Sequence, residues 1–359
     1  LKAVVELARE DNLDCVRHER FGHALAIDGQ TALVAAYYPY STIDATARVY
    51  ERTNDEWDLV AELTPSNEPF YRAYGVDVAL KNGIAVIGAS TQDDIGAAYV
   101  FEEDNGTWSQ VAKLSSNGLT DLPNFGARVA CDGERILVSA SEASTLGDNS
   151  GVVFVYERIA NTWQEVAQLD TGVYEGRTRF GRNVAIQGNW AFISAYKIDG
   201  AGAGHPGVVH VFERVNGNWL EVDRLLSPSM RRATYFGYEV VTDGDTTVIG
   251  SLEEVGAGYD GAAYVYRRVN GSWQNVARLV GPNGEAGTKF GANVALSGNT
   301  IAVGASIADT QYGVNSGVTH IFREIGGNWR LVESLEPANG TAQQAFGQPA
   351  VLDGNNLIV

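Results

Sequence analysis

The 359-residue chain is predicted to be all-β, a seven-bladed β-propeller of four-stranded antiparallel blades. Three observations carry that prediction. An aromatic-glycine pair recurs seven times at roughly 54-residue intervals, as Phe21-Gly22, Tyr74-Gly75, Phe125-Gly126, Phe180-Gly181, Phe236-Gly237, Phe290-Gly291 and Phe346-Gly347. Such a period marks an array of supersecondary units, none of which can bury its apolar face alone. Six tryptophans head a second series: Trp57/Val60/Leu63, Trp108/Val111/Leu114, Trp163/Val166/Leu169, Trp219/Val222/Leu225, Trp273/Val276/Leu279 and Trp329/Val332/Leu335. Finally, 41 glycines and recurrent Asp-Gly and Asn-Gly pairs supply the tight turns of an all-β chain.

The sixth unit shows the four strands, named A to D from inner to outer. Strand A runs through Asn293-Val294-Ala295-Leu296 after its Phe-Gly pair. A short Ser-Gly-Asn turn leads to strand B, Ile301–Ala305, which is continuously apolar like Ile84–Ala89 in the second unit. Continuous apolarity is expected of a strand covered on both faces. After a long polar loop, strand C begins at Gly317-Val318 and alternates with period two, and a Gly-Gly turn leads into strand D, Trp329–Leu335. The three-residue spacing of Trp, Val and Leu also fits a helical turn. These segments are too short for a helix, follow a tight turn and are rich in β-formers, so a bulge in strand D is the expected cause. Trp190 falls outside the series, as a variant of strand B.

The N-terminal segment aligns with strand D, with Leu1, Val4 and Leu7 at the Trp, Val and Leu positions. Residues 1–8 are therefore expected to complete blade seven, whose strands A and B follow Phe346-Gly347 and reach Val359. Blade seven would then be shared between the two termini and lack one strand. On this expectation residues 1–359 form one domain. With no leader-like N-terminus and a sole methionine at Met230, the chain also reads as part of a longer polypeptide.

Against 26 basic side chains stand 44 acidic ones, a formal net charge of −18. With no basic stripe, nucleic acid is not an expected partner, and an anionic membrane surface is disfavoured. No apolar run of about 18 residues is present to span a bilayer. Cys15 and Cys131 fall two blades apart and are not expected to pair.

The seven aromatic-glycine pairs resemble the FG-GAP repeats of integrin α-subunit head regions and of many bacterial and algal surface proteins. Gly88-Ala89-Ser90 and Gly304-Ala305-Ser306 stand where that family has Gly-Ala-Pro. In many members the A–B turn is a calcium loop of the kind Asp-x-Asn-x-Asp-Gly-x-x-Asp. Here those turns are short, as in Ile27-Asp28-Gly29-Gln30 and Thr242-Asp243-Gly244-Asp245, and none supplies more than two carboxylates. No cofactor is expected, and calcium is left only to a B–C loop such as that of Asp148-Asn149 or Asp309. The resemblance also implies that the face carrying the B–C and D–A loops binds partners. The candidate ligand-binding residues there are Tyr37, Tyr38, Tyr40, Phe70, Tyr71, Arg72, Tyr174, Arg177, Arg179, Arg231, Arg232 and Tyr235. Tyrosine and arginine are enriched at binding hot spots, and two basic pairs on an acidic protein suit an acidic peptide or anionic glycan. The competing reading is that the tyrosines pack over loops and the arginines pair with nearby carboxylates.

Five histidines are scattered over different blades, and no zinc spacing, nucleophile elbow or phosphate-cradling loop is present. The chain is therefore expected not to be an enzyme. Sequons begin at Asn105, Asn270 and Asn339, the first two in C–D turns whose geometry already favours Asn-Gly. The expected function is an extracellular, non-enzymatic binding, adhesion or matrix-assembly module whose loop face holds a protein, a glycan or a neighbouring subunit. The alternative is a carbohydrate-active lyase or hydrolase, or a lectin, with its pocket at the central channel mouth.

Overall fold

A computed structural model of the chain describes residues 20–37, 46–66, 73–91, 96–116, 124–172, 177–196, 206–228, 235–252, 254–255, 258–259, 261–282, 287–337 and 345–359. Six four-stranded antiparallel sheets follow one another, each hydrogen-bonded in chain order. Blade one comprises β1 (Arg20–Asp28), β2 (Thr31–Tyr37), β3 (Ala47–Thr53) and β4 (Glu56–Leu63); blade two comprises β5 (Tyr74–Lys81), β6 (Ile84–Ala89), β7 (Ala97–Asp104) and β8 (Thr107–Leu114). Blade three has β9 (Val129–Cys131), β10 (Arg135–Ala140), β11 (Val152–Ile159) and β12 (Thr162–Leu169); blade four has β13 (Val184–Gln187), β14 (Trp190–Ala195), β15 (Val208–Val215) and β16 (Asn218–Leu226). Blade five is built from β17 (Phe236–Asp243), β18 (Thr246–Ser251), β21 (Ala262–Val269) and β22 (Ser272–Leu279), with a small hairpin, β19 (Glu254–Val255) and β20 (Gly258–Tyr259), in its B–C loop. Blade six is β23 (Phe290–Ser297), β24 (Thr300–Ala305), β25 (Val318–Ile325) and β26 (Asn328–Leu335). The chain divides into two compact units, within Val5–Gly188 and within Asn189–Val359.

Among the described residues, the seven-blade expectation is corrected to six complete blades. The seventh repeat forms only the hairpin of β27 (Val351–Asp353) and β28 (Asn356–Ile358). Among the described residues no further strand pairs with it. Its apolar side chains Ala350, Leu352 and Leu357 are covered instead by Ala295, Ala302 and Ile321 of blade six. Residues 1–8, expected to close that blade, lie outside the described residues.

The strand-D bulge is present in every complete blade. In blade three, Val155 faces Ala167 and Tyr156 faces Glu165, so Val166 has no partner on β11. Val60, Val111, Val222, Val276 and Val332 occupy the same unpaired place. All six valines are 40–48% exposed, whereas the leucine three residues later is buried in the first five blades. The bulge twists the outer strand and blunts an edge that would otherwise be free to pair with another chain. Trp190 opens strand B of blade four as expected, and its ring lies edge-on to Trp273 of blade five, with the Arg268 guanidinium 4.2 Å from its centroid.

Successive blades are joined by the aromatic-glycine pair. Phe125 is fully buried in a cluster that mixes Val86, Ala98, Val100 and Leu114 of blade two with Ile136, Val138 and Phe154 of blade three. Phe290 does the same between blades five and six. Burial of such a ring contributes roughly 1.5–3 kcal/mol. The backbone beside the ring approaches the preceding blade so closely that only glycine fits. A Cβ on Gly207 would collide with the Phe236 carbonyl oxygen, and one on Gly88 with that of Gly126, though neither glycine has a positive φ. Side-chain acceptors add a second seam. Asp28 Oδ2 accepts the Asn82 N–H at 2.7 Å, Asp243 Oδ2 accepts the Gly298 N–H at 2.7 Å, and Ser297 Oγ accepts the Gly354 N–H at 2.9 Å. The A–B turns thus serve as blade-to-blade staples.

Gly88→Ala and Gly207→Ala are each expected to cost on the order of 3 kcal/mol, since neither backbone can yield without unseating a buried aromatic ring. Urea unfolding of the two variants measures this, with exposed Gly271→Ala, whose added Cβ meets nothing within 4 Å, reporting the cost of positive φ alone. A pH series tests the buried His320 on β25. Burial pushes its pKa down to about 4. The neutral ring's contribution is therefore complete above its ordinary value of 6.5 and lost as pH falls toward 4. His320→Gln is expected to lose less thermal stability than the parent across that interval.

Candidate functional site

Within each unit the A strands of consecutive blades adjoin one another, as β1 with β5, β5 with β9, and β17 with β23. Side chains three residues after each aromatic ring therefore meet the next blade's strand A. In blade six, Asn293 Oδ1 accepts the Ala350 N–H at 2.8 Å. In blade two, Asp77 Oδ2 makes the same staple to the Val129 N–H at 2.9 Å. A neutral amide suffices for that staple, so the ionisable group at Asp77 is chemistry the staple does not require.

Asp77 has a cationic neighbour. Arg128, at the equivalent position of blade three, places Nη1 3.8 Å from Asp77 Oδ1, and its Nε–H donates to the Arg182 carbonyl oxygen at 3.3 Å. Its backbone is fixed by Ser139, whose Oγ accepts the Arg128 N–H at 3.0 Å. Burial pushes the Asp77 pKa above the ordinary carboxylate value, against the opposing pull of Arg128 and of the Val129 and Val78 N–H groups. A carboxyl group whose pKa is raised, beside a guanidinium, pairs a group suited to proton transfer with one suited to facing an oxyanion. The sequence reading passed over both residues. Laid in register, the seven repeats carry Ala24, Asp77, Arg128, Asn183, Glu239, Asn293 and Pro349 at that position, so an acid and a base in consecutive blades were readable there, but with no repeated residue type to mark them out.

On the loop face, Tyr37 ends β2 and its ring stacks on His23 at 4.6 Å. The Tyr235 ring meets Tyr196 edge-on at 5.7 Å. Arg177 and Arg179 both have positive φ, and their N–H groups bond the Asp148 and Asn149 carbonyls of the preceding B–C loop. Arg179 also faces Glu142 at 3.5 Å, and Glu142 accepts from Asn124 Nδ2. These four residues thus make intramolecular contacts of the loop-packing kind, and the structure does not bring them into one cluster. Tyr38, Tyr40, Phe70, Tyr71, Arg72, Tyr174, Arg231 and Arg232 lie outside the described residues, as do Asn339 and Cys15. Asn105 and Asn270 are exposed at the C–D turns with φ of 51°. Cys131, half-buried, carries a thiol outside any disulfide, and desolvation raises its pKa to about 12. Among the described residues no three His, Cys, Asp or Glu side chains converge as a metal site, and the Asp309 carboxylate accepts the Asn315 N–H at 2.9 Å.

Consecutive four-stranded blades joined in this way define a β-propeller. The family model for the FG-GAP repeat matches residues 57–101, 108–156 and 273–322, in agreement with the resemblance seen in the sequence. A search of curated protein sequences gives no match. Among solved structures, the chain is similar to the periplasmic gluconolactonase PpgL of Pseudomonas aeruginosa, at 13% identity and TM-score 0.53 over 89% of this chain and 86% of that one. It is also similar to a candidate 6-phosphogluconolactonase of Bacteroides uniformis, at 12% identity and TM-score 0.56 over 89% and 87%. A chain of the mitotic checkpoint complex matches at 11% identity and TM-score 0.53 over 98% and 91%. At these identities the likeness is one of fold. It nevertheless overturns the expectation that the chain is not an enzyme: the absence of familiar motifs loses its force on a fold that is shared with lactonases. No helix among the described residues is long and apolar enough to cross a membrane.

The raised pKa of Asp77 has a consequence for stability. The folded state holds this proton more tightly than the unfolded chain, so its contribution is complete below pH 3.8 and lost as pH rises through the raised value. Asp77→Asn keeps the staple and cannot ionise. It is expected to match the parent's thermal midpoint in acid and to exceed it at neutral pH; a lower midpoint at neutral pH would mean that the Asp77–Arg128 pair outweighs desolvation.

Proposed function

We propose that the chain is a carbohydrate-acting hydrolase working outside the cytoplasm, with the Asp77–Arg128 pair on the inner strands as its reacting centre and a neutral sugar lactone as its substrate class. The observation that carries this reading is a carboxyl group with a raised pKa beside an arginine, at a position where the neutral amide of Asn293 makes the same staple in blade six. In the proposed step a water oxygen adds to the lactone carbonyl, and the oxyanion forms opposite Arg128. The ring C–O bond then breaks, and the departing alkoxide takes the proton of the Asp77 carboxyl group. The water's own proton passes to the resulting carboxylate, restoring Asp77 and leaving an open-chain hydroxy acid. Support for the substrate class comes from the two lactonase neighbours, and support for the compartment from the FG-GAP repeats and the periplasmic neighbour.

Gluconolactone hydrolysis, followed by acid release in weak buffer and corrected for spontaneous opening, tests this directly. Asp77→Asn is expected to lower kcat about 100-fold with the fold intact, and Arg128→Gln to lower it comparably. Wild-type turnover equal to the spontaneous rate, or an unchanged rate in Asp77→Asn, would remove the inner-strand pair from consideration.

A further inference from the structure

A cavity of about 310 Å³ opens at the outer rim of blades two and three, lined by Lys113, Leu114, Ser115, Tyr156, Trp163, Gln164 and Glu165. That volume is at the lower end of the range of small-molecule sites. It contains no residue of the inner-strand pair and none of the loop-face candidates.

The groups around it are fixed by the blade junction. Trp163 Nε1–H donates to Glu102 Oε1 of blade two at 3.1 Å, and Glu102 Oε2 is held by Arg158 Nη2 at 2.9 Å. The Tyr156 hydroxyl donates to the Ser115 carbonyl at 3.1 Å, crossing the same junction. Glu165 sits opposite Tyr156 across β11 and β12, with Oε1 accepting from Gln168 Nε2 at 2.7 Å. Its second carboxylate oxygen, Oε2, is buried and has no hydrogen-bond partner.

An unpartnered buried carboxylate oxygen is costly and calls for an explanation. Comparison along the repeat sharpens this: blades one and six carry Leu59 and Leu331 at the equivalent position, and the polar side chains that blades two, four and five carry there are hydrogen-bonded. Gln110 of blade two accepts the Ser66 N–H at 2.8 Å, Asn275 of blade five spans its own bulge to the Val265 and Ala277 carbonyls at 3.2 Å, and Glu221 of blade four is gripped by Arg224 at 2.6 and 2.8 Å. Only in blade three, among these, does the position keep an acceptor in reserve. A ligand must bring a donor to Glu165. Lys113 on the same wall disfavours a cation, and the acidic surface disfavours an anion. A hydroxyl group satisfies both neighbours, donating to a carboxylate and accepting from an ammonium, while an aromatic ring such as Trp163 offers a flat apolar surface to C–H groups.

We propose that this rim cavity is a binding subsite for a neutral saccharide, with Glu165 as its hydroxyl acceptor and Trp163 as its platform. The site is independent of the hydrolytic reading, and its readout does not involve turnover. The test follows the Trp163 indole N–H resonance of the whole chain, assigned through Trp163→Phe, during titration with glucose, galactose, mannose and N-acetylglucosamine separately. At least one sugar is expected to shift that resonance saturably, and Glu165→Ala to weaken its binding at least about tenfold with an unchanged thermal midpoint. Glu165→Gln, which keeps an acceptor oxygen, is expected to weaken it less. The proposal is overturned if none of the four sugars moves the resonance, or if Glu165→Ala binds as the parent does.

Discussion

The fold depends on one close approach: the backbone of each aromatic-glycine pair lies directly against the preceding blade. Two consequences follow from it. The glycines at the start of strand C and within strand B must stay bare, because a carbonyl oxygen of the next blade occupies the space a Cβ would take. And the aromatic ring must enter the neighbour's core, so that Phe125, Phe180, Phe236 and Phe290 are fully buried. Phe21 and Phe346, at the first and last of the seven pairs, are only half-buried. A blade in this chain is therefore not an independent unit, since its ring is buried in the core it shares with the blade before it.

The same geometry decides where side chains are free to do chemistry. Along the seams, polar groups are consumed by stapling: Asp28, Asp243 and Ser297 at the A–B turns, Asn293 on strand A, and Glu102 beneath Trp163. The arginines are drawn in as well. Arg135 faces Asp132 and Glu157, Arg158 faces Glu102, Arg267 faces Glu324 and Arg268 faces Glu213. Function has room only where one blade departs from the structural solution used by the others. Asp77 and Glu165 are two candidates for such a departure: Asp77 stands where Asn293 makes the same staple as a neutral amide, and Glu165 keeps a buried oxygen unpartnered where Glu221 of blade four is held by Arg224.

What the sequence made legible was whatever repeats in step with the backbone. The Trp/Val/Leu spacing announced a bulge, and six unpaired valines on the outer strands are its realisation. Trp190 was placed on strand B because it broke that series. A glycine precedes strand C in five of the six complete blades, at Gly96, Gly151, Gly207, Gly261 and Gly317, with Thr46 in blade one, yet its role needed the neighbouring carbonyl to become visible. The blade count went astray for a related reason. A repeat motif reports a strand A, and at Phe346-Gly347 it reports no more than the hairpin that follows. The candidate site was least legible because charge at a single register position carries no periodic signal. Arg179, singled out for its charge, is met by Glu142, a partner that is distant in sequence and close only through the fold.

The acidic balance acquires a meaning from this distribution. Arg135, Arg158, Arg179, Arg267 and Arg268 each face a carboxylate, and the chain as a whole keeps a formal net charge of −18. A field of that sign lowers the local concentration of anions and leaves neutral solutes unaffected. On the proposed reading, such a field would favour an uncharged sugar lactone over its phosphorylated counterpart before either reaches a binding group. Discrimination of this kind weakens as salt screens the surface, whereas a preference built from contacts in the site does not.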